Sequence, residues 1–415
     1  HAQQEPKLDE GGRRVYAEIE LPLVPVLAEM EAVGIRLDTA RLGEVEADIE
    51  GRLAEVAAEC QRLAPRPFNV RSRHELRDVL FDELGLTGSK KVKDGWSTDS
   101  DVLEKLVDQH PLPGKVLEFR SLDKLLGTYL KKLPSYVASD GRVHTTFQQD
   151  VAATGRLSSM DPNLQNIPVR TFEGRRIREC FVPGDGFVFL SADYSQVELR
   201  VLAHFTHDPV LVAGFQAGED IHRRTAMELF GVGPLGVTNA QRSAAKAINF
   251  GLLYGMSAFR LANDLQIPQA EAQRYMDAYF ARMPAVRGWI EQTKEEARVA
   301  GFVTTLHGRR RVIPEIQAAT FQERSAGERE AVNTRIQGTA ADLIKIAMIR
   351  VHRALVGSRA RMVLQVHDEL LLEVPEAEVE AVTALVKREM EGAAELLVPL
   401  AVNTAVGRTW EEAHG

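Results

Sequence analysis

Arg361-Met-Val-Leu-Gln-Val-His-Asp-Glu-Leu-Leu-Leu-Glu-Val374 reads as strand, turn and strand. The runs Arg361 to His367 and Leu370 to Val374 flank a tight His-Asp-Glu segment, which predicts a hairpin with Asp368 at its tip. A second short apolar run, Gly186-Phe-Val-Phe-Leu-Ser-Ala-Asp193, also ends in an acid. The expectation is a small antiparallel sheet that carries two carboxylates, with helical elements on either side.

Working outward, residues 14 to 34 read as a helix ending near Gly34. From Leu42, the positions Val45, Ile49, Leu53, Val56, Cys60 and Leu63 recur every three or four residues and mark a long amphipathic helix. It stops before Pro65, as helices do ahead of a proline. A second long pattern runs from Val116 through Leu122, Leu125, Leu126, Tyr129 and Leu133 to Pro134. The two predict an antiparallel pair projecting from the body, joined by loops that contain Gly88, Lys90, Lys91 and Gly95. Most of 220 to 300 reads as helix, with breaks at Gly231 to Gly236 and around Pro268 and Pro284. No repeat or low-complexity tract stands out.

At 415 residues the chain exceeds one ordinary core, and 44% hydrophobic with 27% charged residues describes a globular protein. No apolar run approaches the ~20 residues of a membrane span. His1-Ala-Gln-Gln lacks an initiator Met and a signal-peptide pattern, as expected for a fragment cut from a longer chain. Cys60 and Cys180 form no motif, which suits a reducing compartment. A net charge of −8 argues at face value against nucleic acid. Cations nevertheless cluster at Lys131-Lys132, at Arg175, Arg176 and Arg178, and at Arg309-Arg310-Arg311, which leaves room for a basic channel.

Arg242, Lys246, Phe250 and Tyr254 follow at a stride of four, with Gly255 straight after. On a helix turning about 100° per residue they form one stripe, cations first and rings second. An anion with an attached flat ring would meet charge at one end and stacking at the other, and a nucleoside triphosphate has that shape. An ordinary helix with Phe250 and Tyr254 in the core and the cations snorkelling to water fits the stripe too. Asp193 and Asp368, rigid at strand ends yet open to solvent, suit hard cations such as a pair of Mg²⁺ ions about 4 Å apart. An Asp in a turn also commonly bonds its own backbone, so spacing alone leaves both readings open.

Taken together, the motifs resemble those of family A DNA polymerases, the bacterial DNA polymerase I type. Asp193-Tyr-Ser-Gln-Val-Glu-Leu-Arg200 is similar to the family's first signature. The second is matched by Arg242, Lys246, Asn249-Phe250-Gly251 and Tyr254-Gly255, and the third by Val366-His-Asp-Glu369. Thr154-Gly-Arg-Leu-Ser-Ser159, Pro162-Asn-Leu-Gln-Asn-Ile-Pro168, Gly308-Arg-Arg-Arg311 and Gln337-Gly-Thr-Ala-Ala-Asp342 match in the same order.

The resemblance implies DNA-directed DNA synthesis by a two-metal mechanism. Asp193, the Tyr194 carbonyl and Asp368 would bind two Mg²⁺ ions, for which Mn²⁺ can substitute. Lys246 would contact the triphosphate and protonate the pyrophosphate, while Arg242 and His222 would grip its β- and γ-phosphates. Asp220-Ile-His222 on its own is equally a simple helix start. Glu198 would crowd a ribose 2′ position and so reject ribonucleotides, with Gln196 also at the nucleotide. Phe250 would favour deoxy over dideoxy substrates, a preference that Phe250→Tyr relaxes in primer extension. Tyr254 would close the site beside the template base. Arg156, Arg329, Asn333, Gln337 and His367 would touch primer-template DNA, testing pair shape at minor-groove acceptors.

The implied fold is α+β, mostly helical, a right hand of thumb, palm and fingers with a small antiparallel palm sheet. Residues 1–40 would lead in, 41–140 form the thumb, 141–215 and 326–415 the palm, and 216–325 the fingers, with the 242 to 255 helix among them. A cytoplasmic, nucleoid-associated monomer without proofreading is expected. Thr334-Arg335 departs from the family, where a Pro is common, and Trp96 stands where Tyr is commoner. A single-subunit RNA polymerase and a non-catalytic subunit derived from a polymerase remain alternatives. Glu198 and Phe250 argue against the first, and Asp193, Asp368 and Lys246 against the second.

Overall fold

The computed structural model describes residues 8–92, 95–169 and 171–414. The predicted hairpin forms: Arg361–Val366 pairs antiparallel with Glu369–Pro375, and His367 takes φ 54° at the turn. Phe187–Tyr194 pairs antiparallel with the second strand, in register from Glu369 opposite Asp193 to Pro375 opposite Phe187. Val402–Gly407 completes a four-stranded sheet on the far side of Phe187–Tyr194. That edge strand was not foreseen, because Asn403 and Thr404 interrupt any apolar alternation. Every residue of Glu369–Pro375 is buried, the sign of a strand covered on both faces. The helices Leu21–Val33, Phe321–Ala354 and Val379–Glu391 pack around this sheet and one another.

The chain divides into two compact units, and the division crosses the expected boundaries. One holds His1–Val33, Thr146–Met160 and Asp185–Val406, and the other Gly34–Thr145, Asp161–Gly184 and Gly407–Gly415. In the first, the helices Ile221–Phe230, Asn239–Leu253, Ala258–Leu265, Gln269–Arg282 and Pro284–Ala300 follow one another. Thr238 and Gln241 cap the second of these reciprocally, a capping box. The expected 242 to 255 helix ends at Leu253. Tyr254 leaves helical geometry at φ −90° and ψ 14°, and Gly255 turns the chain at φ 69°. A glycine is needed there, since a Cβ would also meet the Arg329 side chain at 2.9 Å.

In the second unit, Thr39–Leu63 buries Leu42, Val45, Ile49, Leu53, Val56 and Cys60, the predicted stripe. Its partner Pro111–Leu125 runs on through Leu126–Leu130, with only a single 3-10 turn, Leu133–Tyr136, near Pro134. Ion pairs Glu50–Lys131 (2.6 Å), Arg52–Glu118 (2.7 Å) and Glu59–Lys115 (3.1 Å) confirm the antiparallel order. The connection is not loop alone. It contains the helical turns Arg73–Arg77, Asp78–Glu83 and Ser100–Glu104 and the small ribbon Lys91–Val92 with Gly95–Trp96. Trp96 packs on Phe81 at 5.9 Å beneath the Lys91 ammonium, which explains a large aromatic at that departure. At the other departure, Thr334 donates to the Glu330 carbonyl at 2.6 Å inside a continuous helix, where a Pro would kink the chain. Among the described residues no helix is long and apolar enough to cross a membrane.

Several members of the cationic clusters are paired or buried. Arg176 pairs with Asp48 at 2.6 Å, and Arg178 is fully buried over the Trp410 ring. Arg310 covers Phe302 and Arg311 pairs with Glu330 at 2.7 Å.

Candidate active site

Sheet register brings the two acids together. Asp193 lies opposite Glu369, the neighbour of Asp368, and the Tyr194 N–H donates to the Asp368 carbonyl at 3.2 Å. Tyr194 is itself anchored, its buried hydroxyl donating to the Met390 carbonyl at 2.6 Å. Both carboxylates are half-buried at one end of the sheet. Burial raises the Asp368 pKa, against the opposing charges of Arg156 and His367. Carboxylate and carbonyl oxygens are the donors that a hard divalent cation takes. Among the described residues no group of three or more His, Cys, Asp or Glu side chains gathers that could hold a metal ion.

Glu198 stands in the first turn of Val197–Thr206 and is only 6% exposed. Its Oε1 accepts from Arg156 Nη2 at 2.6 Å and its Oε2 accepts from the Tyr254 hydroxyl. Burial pushes its pKa up to about 7, with Arg156 pulling down and the Asp368 charge adding to the rise. Arg156, Glu198, Tyr254 and Asp368 therefore form one electrostatic neighbourhood. The Tyr254 ring stacks on Phe250 at 6.1 Å, and Phe250 in turn meets His222 at 5.5 Å. Phe250 and Tyr254 are half-buried rather than in the core as an ordinary helix would have them.

Higher on the same helix, Lys246 is exposed, while Arg242 Nε donates to Asp220 Oδ2 at 2.6 Å. Asp220 has two tasks, because its Oδ1 caps the helix Ile221–Phe230 by accepting from the N–H groups of His222 and Arg223. The Gln196 amide lies 3.5 Å from that same oxygen. Burial alone would raise the Asp220 pKa, but Arg242, the Arg223 N–H and His222 together outweigh it and hold the carboxyl low. His222 is 2% exposed, with its Nδ1 at 2.9 Å from the Asn249 amide. Burial drops its pKa to about 4, so the ring is neutral near pH 7. The helix-start motif is thus real, and His222 faces protein rather than an open phosphate site.

Arg329, Asn333 and Gln337 share a face of Phe321–Ala354, with Arg329 and Gly255 in contact and Gly338 approaching the Thr154 carbonyl. Asn333 Oδ1 is buried without a hydrogen-bond partner. His367 is exposed on the hairpin turn. Sequence reasoning missed Asp220 and Asn249 as partners of the stripe. The cap signal Asp220-Ile-His222 pointed to the first, whereas nothing local pointed to the second.

The sequence model of DNA polymerase family A matches residues 39–412. The chain is 51% identical over 399 residues to the thermostable DNA polymerase I of Thermus thermophilus, covering 95% of this chain and 48% of that protein. To DNA polymerase I of Deinococcus radiodurans it is 48% identical over 408 residues, covering 98% of this chain and 43% of that one. A solved structure of the POL domain of Pol1 from M. smegmatis, in complex with DNA primer-template and dNTP, matches with TM-score 0.94 at 43% identity. That match covers 97% of this chain and 72% of the other. The chain spans about half the length of the curated relatives it matches.

Proposed function

The chain belongs to DNA polymerase family A, with that family's α+β right-hand fold, and we propose that it performs template-directed DNA synthesis. The reaction adds a deoxynucleotide to a primer 3′-hydroxyl and releases pyrophosphate. The observation that carries this reading is the adjacency of Asp193 and Asp368 at one sheet end, with Asp368 in the charge neighbourhood of Glu198 and Arg156.

We assign Asp193, the Tyr194 carbonyl and Asp368 to two Mg²⁺ ions, for which Mn²⁺ can substitute. Such cations, when bound, activate the primer hydroxyl and neutralise the leaving pyrophosphate. Lys246 Nζ, exposed on its helix, donates the proton that the pyrophosphate takes up. Arg242 turns its fork to the phosphates once it leaves Asp220. His222 joins it only if the ring leaves Asn249. Glu198 guards the ribose 2′ position, with Gln196 and Phe250 beside the sugar. Tyr254 must release Glu198 to admit the template base, so nucleotide selection is coupled to a rearrangement at Tyr254 and Gly255. Arg156, Arg329, Asn333, Gln337 and His367 hold the primer-template.

The thumb is assigned to 41–140, the palm to 141–215 and 326–415, the fingers to 216–325, and the lead-in to 1–40. The protein acts as a cytoplasmic, nucleoid-associated monomer. With the family match running over 39–412, no proofreading is assigned to these residues.

Primer extension with Mg²⁺ and deoxynucleotides tests all of this, with Asp193→Ala and Asp368→Ala beside wild type and a mismatched 3′ end included. Expected are extension by wild type, a loss of at least about 10³-fold in both variants with DNA binding retained, and no release of the mismatched nucleotide. Wild type that binds DNA without extending it would instead establish a non-catalytic binding protein.

A further inference from the structure

Four charged side chains that the proposed chemistry does not use meet inside the first compact unit. Lys345 and Asp342 are fully buried on Phe321–Ala354, Glu20 ends the turn Tyr16–Glu20, and Arg309 precedes the strand Arg310–Val312. Lys345 Nζ donates to Glu20 Oε1 at 2.8 Å, and Arg309 Nη2 donates to the same oxygen. Arg309 Nε also donates to Asp342 Oδ1 at 2.7 Å, while Thr305 Oγ1 donates to Asp342 Oδ2 at 2.6 Å. The formal charges cancel. Buried ion networks of this kind seldom exceed a hydrophobic cluster in stability, because desolvation offsets their attraction. What this one provides is an immobile guanidinium, held at Nε and Nη2 by carboxylates from two separate elements.

That guanidinium lies against Gly155. The residue adopts φ 81°, and a Cβ there would stand 2.7 Å from Arg309 Nε and 2.8 Å from Cδ. A free arginine would swing aside from such a contact, but this one is fixed. The next residue is Arg156, whose Nη2 reaches Glu198. We infer that Arg309 is a positioning residue: through the Gly155 backbone it sets where Arg156 presents its guanidinium to Glu198 and the reacting end of the primer. The inference rests on the polymerase reading above.

Single-turnover primer extension at saturating nucleotide tests it as a double-mutant cycle with Arg156. Arg309→Lys keeps the charge but loses the fork. It is expected to slow the chemical step about tenfold when Arg156 is present and less than about twofold when Arg156 is already Ala, with nucleotide KM little changed. Glu20→Gln loosens one of the two carboxylate contacts only, gives the same coupling at smaller size, and decides the question should Arg309→Lys fail to fold. Equal slowing in both backgrounds, which a merely structural role would give, overturns the inference while the polymerase reading stands. A wild type that extends no primer overturns both.

Discussion

Two ion-pair systems in the first compact unit use the same chemistry in opposite settings. Asp220 and Arg242 keep side-chain exposures of 31% and 42%, whereas Glu20 and Arg309 keep 17% each, and Asp342 and Lys345 none. An exposed pair contributes about 0–1 kcal/mol, so a ligand phosphate can take the place of Asp220 at small cost. Removing one member of a buried network leaves an uncompensated charge in the interior and costs about 3–5 kcal/mol. The buried system can hold a geometry and the exposed one can exchange partners. The proposed polymerase site would use both, with Arg156 kept still and Arg242 free to let go.

The largest effect should come from Lys345→Met. It removes a fully buried cation and leaves Glu20 and Asp342 facing Arg309 alone. Denaturant unfolding should show a loss of about 3–5 kcal/mol. Arg242→Met in the same assay should cost under about 1 kcal/mol. Equal losses would erase the distinction.

Two buried titratable groups extend the comparison to pH. Glu198, raised from 4.5 to about 7, favours its protonated form in the folded state. The folded chain binds more protons there, so this group makes stability fall as pH rises from about 4.5 to 7. His222, lowered from 6.5 to about 4, is the reverse case, and its contribution is lost as pH falls from about 6.5 to 4. Each slope integrates to roughly 3 kcal/mol at most. They oppose each other over pH 5 to 6, so their combined contribution should be nearly flat in that window. Glu198→Gln should expose a stability that rises with pH, and His222→Gln one that falls, in thermal unfolding from pH 4 to 8. A single shared slope in both variants would show that these residues do not carry the titration.

Local signals carried the hairpin, both acids and the long stripe of Thr39–Leu63, because period and turn chemistry are written within a dozen residues. The end of the stripe helix was misplaced, since nothing before Gly255 announces that Tyr254 leaves helical geometry. The strand Val402–Gly407 stayed hidden because an edge strand needs no apolar alternation. The clusters around Arg309 and Arg176 leave room for a basic channel in the sequence, yet Arg309 and Arg176 pair with Glu20, Asp342 and Asp48, which lie far away in sequence. Charge counted along the chain cannot see such neutralisation. Nor could sequence separate the two roles of Asp220, a cap through one oxygen and a clasp on Arg242 through the other.

Those two roles can be separated by Asp220→Asn, the smallest change considered. Asn caps a helix about as well as Asp, so stability should move by less than about 0.5 kcal/mol. The carboxylate oxygen facing Arg242 becomes part of a neutral amide, and the guanidinium loses its resident anion. If Asp220 competes with the triphosphate for Arg242, nucleotide KM should fall by about three- to tenfold, with kcat little altered. The gain should shrink as salt approaches about 0.15 M, because the pair is solvent-exposed. An unchanged KM would place this pair with the buried network as a fixed feature. A KM that rises would mean that Asp220 aims Arg242 at the phosphates rather than withholding it, and the exposed system would then be a preorganised one despite its contact with water.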